Sequence, residues 1–230
     1  MRGRTKEISA RGCGLCVRFL VVTAFGAAFG YIEAAVVVYL RAIFYPDGFR
    51  FPLIEFGNGE LWRRLLMTEI GREGATLVLI GTGAWLIGRN LRQRFAWFLV
   101  IFAVWDITYY IWLKVLLGWP GSIMDWDILF LIPMVWASPV LAPVLISAAM
   151  LVFAGVILRR SEAGRGIEVK MIDWAGFSGA IVVVLASFCL AGRHIAEADF
   201  ASHYLWRLFW LGYSCAIGVF FKCVWQSKNC

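Results

Sequence analysis

Six times along the chain an apolar run of about twenty residues is followed by a polar break, and about twenty residues is the length of helix that crosses a hydrocarbon core roughly 30 Å thick. The runs cover residues 19–43, 68–88, 95–117, 137–158, 174–192 and 205–224, which leaves no room for a separate soluble domain in 230 residues. Lipid offers the backbone no hydrogen-bonding partner, so such runs fold as helices that satisfy their own amides. The expected architecture is an all-α polytopic bundle, a single transmembrane domain over 1–230 with six spans. Composition agrees, with 61% hydrophobic and only 16% charged residues.

Charge orients the bundle. Arg2, Arg4, Lys6, Arg11, Arg18, Arg89, Arg92, Arg94, Arg159, Arg160, Arg165, Lys170, Lys222 and Lys228 all fall on one side of a six-span chain, fourteen of its 22 Lys and Arg. Basic loops stay in the cytoplasm, which places both termini there. The same bias explains the net charge of +7 without nucleic acid, for which no basic helix or aromatic-interleaved basic patch is present. The lipid bilayer is the expected partner and a plasma membrane, the inner membrane of a bacterium, the expected location. The basic N-terminus before an apolar run has the form of a signal peptide, but the run continues to Leu40, beyond a usual h-region, so a retained first helix is expected. Trp119, Trp126, Trp206 and Trp210 near the outer ends, with Trp174 and Trp225 at the inner ends, have the placing of an aromatic belt.

One stretch resists a simple span. Ile128 to Leu158 carries no charge, too long for one crossing and too short for two, and Pro133, Pro139 and Pro143 interrupt it. The expectation is an interfacial or re-entrant segment over Asp127 to Val135 that leads into a kinked fourth helix. In the first outer loop, Pro46, Asp47, Gly48 and Pro52 read as turns, and Asn58 is placed to cap a helix that starts near Gly59.

Ionisable groups within the apolar runs are the candidate site, because charge inside a membrane is costly. Counting about 1.5 Å per residue from basic anchors puts Glu33 roughly 7 Å below the outer surface and Asp106 about 12 Å below it. Glu69 falls at the surface, with Arg72 and Glu73 about 5 to 6 Å deeper. Glu69, Arg72 and Glu73 share a face of helix two, Asp106, Tyr110 and Lys114 share one of helix three, and Arg41 lies two turns above Glu33. The expected pairings are Glu33 with Arg72 and Asp106 with Lys114, in one polar zone reached from outside. Gly26, Gly30 and Ala34 on helix one, and Gly74, Gly81 and Gly88 on helix two, are small-residue faces suited to close packing between these two helices.

Two outer loops lie over this zone, one carrying Asp125 and Asp127, the other His194, Glu197, Asp199 and His203. The second can supply ligands to a divalent metal, but its spacing fits no zinc pattern, so a solvated acidic loop is expected. No motif names a cofactor. Cys13 and Cys16 form a lone CxxC on the side of Cys223 and Cys230, where idle reduced thiols are expected. No Ser/His/Asp element or phosphate-binding glycine loop is evident.

The leading functional expectation is a transporter-like membrane protein that holds a small polar solute or protons in the charged pocket. An intramembrane enzyme acting on a lipid or lipid-linked substrate by carboxylate acid–base chemistry is the first alternative. A scaffold or assembly subunit whose charges only lock helices is the second. The oligomeric state stays open.

Overall fold

The computed structural model describes residues 2–46, 48–52 and 60–227, with side chains described from residue 14 onward and outside 61–62. Asp47, Asn58, Gly59 and the side chains of Cys13, Lys228 and Cys230 lie outside the described residues.

The described residues form six long helices: α1 (Arg2–Phe44), α2 (Glu60–Ile87), α3 (Leu91–Leu117), α4 (Leu141–Glu162), α5 (Met171–Gly192) and α6 (Trp206–Gln226). A short antiparallel hairpin, β1 (Trp126–Phe130) with β2 (Trp136–Pro139), separates α3 from α4, and a 3-10 turn at Phe200–His203 precedes α6. The fold is a helical bundle, and five of its helices, α1 and α3 to α6, have the length and apolarity to cross a membrane. The remaining expected span corresponds to α2, where Arg63, Arg64, Glu69, Arg72 and Glu73 interrupt the apolar sequence.

Helix α3 is the hub. Its buried Trp97, Val100, Ile101 and Val104 form one core with Val22 of α1, Ile80 and Ala84 of α2, and Ala154 and Leu158 of α4. The small face of α1 permits this: a Cβ on Gly26 would meet Val104 at 2.9 Å, and one on Gly30 would meet the Trp105 carbonyl at 2.8 Å. That face therefore packs on α3 rather than on α2. The α2 series does not pack at all at Gly74 and Gly81, which face open space, whereas Gly88 admits the Arg94 backbone at the tight turn into α3. Asn90 caps α3, its side chain accepting the Gln93 amide at 3.0 Å, and Gly118 ends the helix at φ 69°, a left-handed conformation suited to glycine.

Helices α5 and α6 pack as a pair, Gly212 lying against the Ala180 carbonyl at 2.7 Å from an ideal Cβ. At one end of the bundle, called here the basic end, Arg160 donates to the Val224 and Ser227 carbonyls, Lys222 pairs with the buried Asp173 at 2.7 Å, and Gln93 reaches Ser161 at 3.2 Å. The α2–α3 turn, the α4–α5 loop and the end of α6 thus meet at this end.

The stretch expected to be interfacial or re-entrant folds as part of the hairpin, and the expected kink is not inside α4. Pro133 lies in the hairpin turn, Pro139 ends β2 and Pro143 falls in the first turn of α4, where no helical hydrogen bond is lost. The break comes between strand and helix, and α4 runs unbroken from Leu141 rather than from Ala137. Trp136 of the hairpin packs with Phe188 and Tyr204, and the Val135 carbonyl lies against Gly192 at the end of α5.

Candidate functional site

The polar groups of α1 and α2 meet because Glu33 faces α2 opposite the turn that carries Glu69 and Arg72. The Arg72 guanidinium lies between the two acids, donating from Nε to Glu69 at 2.9 Å and from its terminal nitrogens to Glu69 and Glu33. Thr76, one helical turn on, donates to Glu33 at 3.5 Å. One cation thus serves two carboxylates.

A second pair closes the hairpin end. Arg41 near the end of α1 reaches Asp127 of β1 at 3.3 Å, and the Tyr109 hydroxyl donates to the other Asp127 oxygen at 3.3 Å. The guanidinium lies over the rings of Phe49 at 4.1 Å and Trp119 at 4.0 Å, contacts that gain strength where water is excluded. Burial pushes the Asp127 carboxyl up to about 6, against the pull of Arg41 and the Tyr109 hydroxyl. Tyr110 faces the same carboxylate.

Two acids of this site, Glu73 and Asp106, form no ion pair among the described residues. Glu73, 6% exposed, accepts the Leu131 amide with both oxygens, at 3.0 and 2.9 Å, and so ties α2 to the hairpin turn. Asp106 accepts the Ser147 hydroxyl of α4 at 2.8 Å, and no basic side chain acts on it.

These groups share a cavity of about 1390 Å³. It runs from Tyr45 and Phe49 at the hairpin end to Arg165 and Lys170 at the basic end, along α3 and α4 and between α2 on one side and α5 and α6 on the other. Its middle is carbon, with Phe98, Phe102, Met150, Phe153, Phe177 and Phe220 among the walls. Glu33, Glu69, Glu73, Asp106 and Asp127 line the hairpin half together with Arg41 and Arg72, five acids against two bases.

Lys114 and Asp125 stand elsewhere. Lys114 donates to the Gly118 and Pro120 carbonyls at 3.0 and 2.8 Å and closes the end of α3, so the expected Asp106–Lys114 pair does not form. A lysine in the last turn of a helix finds the exposed carbonyls there before it reaches a carboxylate two turns away. Asp125 accepts the Gly121 and Ser122 amides at 2.7 and 3.3 Å and shapes its own loop. Sequence reasoning missed Tyr109, Thr76, Ser147 and the Leu131 amide. Thr76 and Ser147 carried a signal as hydroxyls inside apolar runs, whereas the Leu131 amide carried none.

The loop between α5 and α6 gathers more than its spacing suggested. His194 Nδ1 lies 2.8 Å from Glu197, His203 Nε2 lies 3.3 Å from the other Glu197 oxygen and 3.5 Å from Asp199, and the two imidazoles stack at 4.0 Å. Of the expected thiol set, the described members stand in different settings: Cys16 is exposed and Cys223 is buried beside Lys222 and Asp173. Comparison with family models, with curated proteins and with solved structures gives no match for this chain.

Proposed function

We propose that the protein is a transporter-like carrier of an amphipathic, lipid-like molecule, which it holds in the cavity with a cationic or proton-donating head at the acidic cluster. The observation that carries this reading is the joining of a long apolar space to a cluster where five carboxylates face two guanidiniums. A small polar solute would fit the cluster but leave most of the carbon-walled volume without a favourable occupant, and 1390 Å³ exceeds the roughly 300–1,000 Å³ of common small-molecule pockets. An acyl chain fills such a space by releasing water or disordered lipid from it. Among the described residues, Asp106, on which no basic side chain acts, and Glu73, which forms no ion pair, are the groups available to a cation. The length of the cavity, from hairpin end to basic end, suits movement between leaflets better than a reaction at one point.

In this reading α2 is the sixth crossing helix, both termini are cytoplasmic, the acidic cluster lies in the outer half, and the protein resides in a plasma membrane, the inner membrane of a bacterium.

Binding to the purified protein in detergent tests the proposal, with fluorescent amphiphiles of one tail and three heads: quaternary ammonium, neutral and sulfate. The cationic probe is expected to bind at least tenfold tighter than the others, and Asp106→Asn to remove most of that preference. Equal affinities for all heads, unchanged in the variant, would sink the carrier reading and leave the acids as helix locks.

A further inference from the structure

We infer that the loop between α5 and α6 is a binding site for a borderline divalent cation of the Zn²⁺ class, held by His194, Glu197 and His203, with Asp199 as a fourth donor. The chain has only two histidines, and the fold brings both onto one carboxylate. One ligand atom from each of the three residues lies within 4.8 Å of the other two. Tetrahedral zinc with bonds of about 2.0–2.1 Å sets its donors roughly 3.3 Å apart. The observed nitrogen–oxygen distances of 2.8 and 3.3 Å lie close to that, and because a metal lies in the plane of each imidazole it binds, one of the stacked rings must turn on binding. Asp199, 3.5 Å from His203, completes a set of two imidazoles and two carboxylates, a donor set that suits zinc and excludes calcium or magnesium as the preferred ion.

The site joins the two ends of the loop, and between them Phe200 stacks on Phe51 at 5.2 Å and meets Trp126 of the hairpin at 4.9 Å. A bound cation would therefore fasten the loop over the hairpin that covers the cavity. The inference does not depend on what the cavity carries.

The full-length protein is purified without a histidine tag, and its two histidines are modified with diethyl pyrocarbonate with and without Zn²⁺. Because the chain holds no other histidine, the ultraviolet absorbance of the carbethoxylated imidazole reads this site alone. Zn²⁺ at one equivalent is expected to slow modification at least tenfold, and Co²⁺ to give a tetrahedral visible spectrum without a thiolate charge-transfer band. His203→Ala is expected to weaken Zn²⁺ binding at least tenfold while leaving helix content unchanged. Unchanged modification under saturating Zn²⁺, or a thiolate band that assigns the metal to cysteine, would overturn the inference. Both readouts use the unaltered chain, so a variant that fails to fold leaves the test intact.

Discussion

Burial governs the chemistry of single residues at the hairpin end. The Asp127 carboxyl, pushed up to about 6 from an ordinary 3.8, keeps in the folded protein a proton that the unfolded chain releases between about pH 4 and 6. Its contribution to stability therefore falls as pH rises through that window, which Arg41 already narrows by favouring the ionised form. Asp127→Asn should flatten this portion of the pH profile, which thermal unfolding in detergent at pH 4.5 and 6.5 would measure; parallel profiles for variant and parent would refute it. Arg72 works in the opposite sense, as the cation that lets two acids remain close. Arg72→Met leaves Glu33 and Glu69 facing each other without it, and the expected loss is about 3–5 kcal/mol at neutral pH, smaller in acid where the pair can share a proton. Denaturant titration at the two pH values checks both magnitude and direction.

The elements differ in how openly the sequence declares them. Helices α1, α3, α4, α5 and α6 were legible because uninterrupted apolar length needs no partner to be read, and Asn90 and Gly118 mark the ends of α3 as strongly as any cap in the chain. The hairpin was legible only as a break. It borrows its stability from Glu73 of α2 and from Phe188 and Gly192 of α5, all about fifty or more positions away along the chain, and no local pattern announces such contacts. Helix partners were equally hidden: Gly26 and Gly30 told that α1 packs closely, but not that α3 receives them. Gly30→Leu is expected to drive a side chain into the Trp105 carbonyl and cost about 1–3 kcal/mol, whereas Gly81→Ala, on open space, should be neutral or gain up to about 1 kcal/mol of helix propensity. Equal effects of the two, read from melting temperatures, would mean that α1 is not seated on α3. For the hairpin, Glu73→Leu removes the acceptor of the Leu131 amide, an expected loss of about 1–3 kcal/mol, with Glu73→Gln recovering part of it through the amide oxygen.

For the whole molecule, the decisive question is whether α2 crosses the membrane. Its 28 residues are about 42 Å long, more than enough, yet six of its charges fall before Gly74 and leave only the second half continuously apolar. Those charges do not all meet lipid. Glu33 and Arg72 neutralise one another, and Glu73 is bonded to the hairpin, so the cost of insertion falls on the bundle interior rather than on hydrocarbon. The connection to α3 is also informative. Gly88 to Asn90 turn the chain within three residues, so α2 lies antiparallel along α3, which is itself long and apolar enough to cross. With α2 crossing, an even number of spans returns the C-terminus to the side of the N-terminus, the side on which Arg89, Arg92, Arg94, Arg159 and Arg160 collect. Reporter fusions should then read cytoplasmic at the C-terminus and after Arg165, and external at Gly121 in the loop before the hairpin. Were α2 to stay on the surface, the Gly121 fusion and the C-terminus would report the opposite sides. The acidic end of the cavity would then face the cytoplasm, and a carrier that takes cationic amphiphiles from the outer leaflet would no longer be tenable.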